Sequence, residues 1–155
     1  MPAMNELERI ADQLQRSYEG TSWHGPSVKE ALEGVTPEVA ARRIIANAHS
    51  IWELVHHIGA WADIVRRRIG GETVDVTNDL NFPPVPDESA SAWQQSLGQL
   101  ERSQRELREF ALTISEPRLS EPVMEGGTSV YMQLHGVAQH NVYHAGQIVI
   151  LKKMS

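Results

Sequence analysis

The stretch WQQSLGQLERSQRELREFALTI, residues 93–114, decides the fold class. Trp93, Leu97, Leu100, Gln104, Leu107, Ala111 and Ile114 recur in steps of four and three. An α-helix turns once in about 3.6 residues, so this spacing aligns those side chains in one stripe, the seam of a helical bundle. Asp87 is placed to cap the start, and Pro117 and Pro122 close the end.

Three more long helices are predicted around it. Leu7, Ile10, Ala11, Leu14 and Tyr18 form a first stripe that Gly20 ends. A second long helix starts at Ser50, where Ser50 and Glu53 have the spacing of a capping box. Its stripe runs through Leu54, Ile58, Trp61, Ile64 and Val65 to Gly70 and Gly71. The last starts near Thr128 or Ser129 and continues through Val130, Leu134, Val137, Ile148 and Leu151. Between the first two, Ser27 with Glu30, and Thr36 before Pro37, predict two short extra helices. No segment reads as a strand.

Four long amphipathic helices imply an all-α four-helix bundle. Residues 72–86, rich in turn formers, can span about 50 Å if extended at about 3.3 Å per residue. The second long helix is only about 28 Å long at about 1.5 Å per residue. The chain can therefore return to its starting end, and the expected order is up-down-down-up.

Composition narrows the function. Twenty acidic residues against fourteen basic ones give a net charge of −6, the wrong sign for nonspecific nucleic-acid binding. There is no cysteine, hence no disulfide, thiolate ligand or cysteine nucleophile. The start of the chain does not resemble a signal peptide, and no stretch is long and apolar enough to span a bilayer. The expectation is a single cytoplasmic domain over residues 1–155.

Seven histidines carry the chemistry: His24, His49, His56, His57, His135, His140 and His144. In LHGVAQHNVYHAGQI, residues 134–148, His140 and His144 stand one helical turn apart on one face, with Gln147 beside them. His56 and His57 are adjacent and project about 100° apart, so only one can face inward. His57, three after Leu54 and four before Trp61, lies in the inner stripe, whereas His56 lies nearer its edge. Three imidazoles from two helices describe an open metal site with a position left for water. Imidazole suits zinc, nickel, iron or copper; zinc or nickel rank first here, with iron or manganese behind.

Each ligand histidine needs an acceptor on its other ring nitrogen. Glu53 and Gln147 are candidates, although Glu53 also has the position of a helix cap. Trp61 and Tyr143 are candidate pocket residues. So are His24, in the motif Trp23-His24-Gly25-Pro26, and His49. Arg66, Arg67 and Arg68 lie where positive charge complements a helix dipole.

SIWELVHHIGAW, residues 50–61, together with QHNVYHAGQI, residues 139–148, resembles the DinB-like superfamily of metal-dependent helical bundles. The likeness covers nearly the whole chain. It implies a right-handed up-down-down-up bundle, and a divalent metal on His57, His140 and His144. It also implies a homodimer. Some characterised relatives transfer low-molecular-weight thiols such as bacillithiol, or use mycothiol. The functional expectation is a metal-dependent enzyme joining such a thiol to a small electrophile. The alternatives are a metal-dependent hydrolase and a non-catalytic metal-binding or stress-related bundle.

Overall fold

The computed structural model describes residues 3–124 and 126–155. They are helical, with no strand among them, and run in the order α1 (Glu6–Tyr18), α2 (Val28–Ala31), α3 (Pro37–Ala41), α4 (Ile51–Ile69), α5 (Asn78–Asn81), α6 (Ala90–Ala111) and α7 (Val130–Lys153). A 3-10 helix, Glu116–Ser120, and a single antiparallel bridge between Pro122 and Ser129 connect α6 to α7.

Side-chain caps fix where the helices begin. Asn5 with Glu8, Ser27 with Glu30, and Ser50 with Glu53 form reciprocal capping boxes. Each satisfies two backbone donors that a helix start otherwise leaves open. Two starts differ from the sequence expectation. Ser89 rather than Asp87 caps α6, accepting from the Ala92 amide at 3.1 Å. Asp87 is used one step earlier, accepting from the Ser89 amide at 2.8 Å. Within the crossover, Thr77 caps the four-residue α5, which the sequence had not revealed.

The predicted seam of α6 faces inward: Trp93, Leu100, Leu107, Ala111 and Ile114 are buried among apolar neighbours, and Gln104 is buried among polar ones. The helix packs against α4 and α1, and α7 packs against the same two. α4 lies close to α6 at Gly59, where a Cβ would make ordinary contacts, 3.6 Å from the Leu100 Cα and 3.4 Å from the Ser103 Oγ. Residue numbers rise together along this contact, His56 meeting Ser96, Gly59 meeting Leu100 and Arg66 meeting Glu106.

The apolar interior divides into two clusters. One gathers around Trp52, Ile58, Trp93 and Ile148; the other around Leu14, Ile69, Leu107 and Leu134. On α1, α6 and α7, polar groups lie between the two sets. Ser17, Gln104 and Asn141 form a buried hydrogen-bonded group, and His57, His140 and His144 form a second. No helix among the described residues is long and apolar enough to cross a membrane.

Leu107 is wholly buried and Leu112 half exposed on the same helical run. Leu107→Ala is expected to lower unfolding free energy by about 2–5 kcal/mol in urea titration. Leu112→Ala is expected to change it by no more than about 0.5 kcal/mol.

Candidate metal centre

The three histidines are presented by two helices. On α7 the four-residue spacing sets His140 and His144 one turn apart, with ring centroids 4.4 Å from each other. From α4, His57 faces them both at 4.8 Å. One ring nitrogen from each residue lies within 4.8 Å of the other two. His57 and His144 are buried and His140 is partly so.

Hydrogen bonds fix which nitrogens face inward. His57 Nδ1 donates to the backbone carbonyl of Asn81 at 2.5 Å. His144 Nδ1 donates to Gln147 Oε1 at 2.6 Å. A carbonyl oxygen only accepts, so both rings carry their proton on Nδ1 and turn a bare Nε2 inward. His140 Nε2 lies 3.0 Å from each of those two nitrogens. A neutral imidazole has one N–H, so His140 can donate to only one of them. Among the described residues its buried Nδ1 has no hydrogen-bond partner. Three neutral nitrogens converging with too few protons are a donor set for a divalent transition metal, and the residues fit one.

Burial makes the set neutral. It pushes the pKa of His140 down to about 3, helped by the neighbouring His144 and His57. Burial also lowers His57, against the opposing pull of its bond to Asn81, and lowers His144. Near neutral pH no proton competes for the three lone pairs.

Aromatic walls enclose the nitrogens. Phe82 stacks on His57, with centroids 4.0 Å apart, and on His49 at 3.7 Å, so it is sandwiched between two imidazoles. Trp61 stands edge-on to His57 and tilted to His140, and donates its indole N–H to Asn81 Oδ1 at 2.9 Å. Tyr143, largely exposed, stands edge-on to His144 at 5.0 Å. Two concavities meet at Phe82, Tyr143 and His144. One, of about 530 Å³, includes Trp61, Val65 and Val137; the other, of about 510 Å³, includes His49, Leu54 and Gln147.

Some sequence candidates lie elsewhere. Glu53 does not reach His57: its carboxylate accepts from the Ser50 amide at 2.7 Å and pairs with Arg43. His49 Nδ1 lies 3.6 Å from the same carboxylate, beyond hydrogen-bond length. His24 is exposed in a separate concavity between α1 and α7, beside Trp23 and His135. His56 faces the crossover and α6: Nδ1 donates to the Pro83 carbonyl, and Nε2 accepts from Ser96 Oγ at 2.8 Å.

Asn81 and Phe82 are the residues that sequence reading passed over. Their signal was faint: a Thr77 cap before four residues too few to show periodicity, inside a segment dominated by proline.

The sequence model of the DinB superfamily matches residues 7–148. A solved structure, described as a conserved protein from Enterococcus faecalis, shares the fold with a TM-score of 0.70 at 18% identity, over 98% of each chain. No curated protein matches the chain.

Folding lowers the three histidine pKa values below the unfolded value of 6.5, so the unfolded chain takes up more protons on acidification. Stability held by the neutral imidazoles is therefore complete above that value and is lost as pH falls, for His140 down to about 3. Metal-free protein is expected to show a falling urea midpoint from pH 7 to pH 5. The slope should shrink in His140→Gln, and a slope unchanged by that substitution would contradict the assignment.

Proposed function

Because the chain belongs to the DinB superfamily, we propose that His57, His140 and His144 hold a divalent metal and that the protein transfers a low-molecular-weight thiol to a small electrophile. The observation that carries the metal is the convergence of three Nε2 atoms, two of them stripped of protons by fixed acceptors on Nδ1. Zinc or nickel ranks ahead of iron or manganese for three imidazole donors.

A bound divalent ion supplies Lewis acidity, which lowers the pKa of a thiol or water brought to it. The chain's own residues do the rest. Asn81 and Gln147 hold two rings in the ligating tautomer and orientation. Phe82 and Trp61 keep water from the flanks of the imidazoles. The chain has no cysteine, so the thiol comes from outside. No aspartate or glutamate among the described residues lines either concavity at the histidines. Hydrolysis would want such a general base, which places thiol transfer ahead of it.

The up-down-down-up order belongs to the same proposal. The rising pairs along α4 and α6 favour parallel neighbours, and the Val130 amide bonded to the Glu121 carbonyl favours an α7 that starts at the end where α6 stops.

Tag-free protein is expected to bind zinc or nickel stoichiometrically by elemental analysis, and the triple alanine variant at His57, His140 and His144 to bind none. Full metal in the triple variant would refute the site. Gln147→Leu, which removes the acceptor at His144, is expected to weaken metal affinity by about 10- to 100-fold. Thiol-dependent consumption of monochlorobimane or an epoxide, abolished by chelation, is the expected activity. Ester turnover without thiol would instead favour hydrolysis, and metal binding with neither activity a non-catalytic or stress-related bundle.

A further inference from the structure

Of the two concavities that meet at the histidines, the one walled by Trp61 has a lining with its own chemistry. Its sides are carbon: the rings of Trp61 and Phe82, with Val65, Met132 and Val137. No charged side chain lines it among the described residues. Several of its polar atoms are already engaged. The Trp61 indole N–H donates to Asn81 Oδ1, and Gln133 Nε2 donates to Thr128 Oγ1 at 2.7 Å. Beyond those two bonds, the polar atoms left to meet a ligand are the inward nitrogens of the three histidines and, as uncharged groups, the Asn81 amide nitrogen, Gln133 Oε1 and the Thr128 and Tyr143 hydroxyls. A volume of about 530 Å³ suits a small organic molecule.

We propose that this groove is the subsite for an uncharged aromatic electrophile, its ring between Trp61, Phe82 and Val137 and its reactive carbon at the three imidazoles. Along these walls a charged body would lose water with no charged side chain to pair with, whereas an apolar ring gains by leaving water. The neighbouring concavity of about 510 Å³, with His49 and Gln147, is left for the thiol. In the joined product the thiol sulfur is bonded to the electrophile's carbon. The thiol proton goes to the opened epoxide oxygen, or leaves with the displaced halide. The inference rests on the proposed thiol transfer for its reactive end; the groove's preference for an uncharged ring can be measured without it.

Gly136 offers a clean test. It lines the groove from α7, and a Cβ added there meets nothing within 4 Å. Leucine at this position fills the groove, favours helix more than glycine does, and leaves the histidines in place. The probe is N-phenyl-1-naphthylamine, an uncharged aromatic fluorophore that brightens in apolar surroundings, titrated into full-length metal-free protein. Saturable binding is expected, weakened at least about tenfold by Gly136→Leu, or about 1.4 kcal/mol. Zinc stoichiometry and helical content should stay unchanged in that variant. Trp23→Ser, which removes a fully exposed aromatic elsewhere, is expected to bind the probe as before. Wild-type affinity in Gly136→Leu, loss of binding in Trp23→Ser, or tighter binding of the anionic 8-anilinonaphthalene-1-sulfonate would overturn the proposal. The two readings separate in the unsubstituted chain. Probe binding sensitive to Gly136→Leu without zinc binding overturns the metal site and keeps the groove; zinc binding without probe binding overturns the groove alone.

Discussion

Asn141 is wholly buried in a bundle whose interior is otherwise mostly apolar. Its amide nitrogen donates to Gln104 Oε1 at 2.9 Å and to Ser17 Oγ at 3.0 Å, and its oxygen accepts from Gln104 at 3.3 Å. A buried amide left unpaired costs about 1–3 kcal/mol, so rotations of α7 that break this knot are disfavoured. Helix geometry then fixes its neighbour. With Asn141 turned to α1 and α6, His140, about 100° around the axis, is turned to α4. His144 follows one turn later on the same face. The position of the three imidazoles is thus held from the far side of the helix that carries two of them.

On α1, α6 and α7 the two polar groups lie between the two apolar clusters. Apolar interiors tolerate sliding better than hydrogen-bonded ones, because a slipped amide loses its partners outright. The knot sets the axial register of α1, α6 and α7, and the bond from His57 to Asn81 ties α4 to the crossover. A loosely registered bundle would hold three nitrogens near one another only on average. This one holds them at hydrogen-bond separations.

Much of this was legible in the sequence because it depends on spacing. The seam from Trp93 to Ile114 gave the bundle, three serines or threonines gave helix starts, and the step from His140 to His144 gave a shared face. The choice of His57 over His56 followed from its place relative to Leu54 and Trp61. What escaped depends on where the chain travels between helices. Residues 72–86 had no period to read, so α5, Phe82 and the Asn81 carbonyl were invisible. The start of α6 lies two residues later than expected because Asp87 and Ser89 both accept from backbone amides, and which amide each meets depends on the folded path of the chain. Glu53 satisfied two patterns at once, and its own helix start used the carboxylate first.

The acceptor that orients His57 is a main-chain oxygen, whereas the one that orients His144 is a side chain. The two therefore differ in how they can be lost. Any residue at position 147 without an oxygen at the right reach releases His144. No ordinary replacement at position 81 deletes the carbonyl; it can only be moved, by altering the length or path of the crossover. A substitution scan of that segment would register the side-chain bond from Trp61 to Asn81 and miss the bond to His57. Insertions and deletions between Thr77 and Pro83 are the changes to which this half of the site is exposed, and natural variation in loop length there would report on it where residue identity does not.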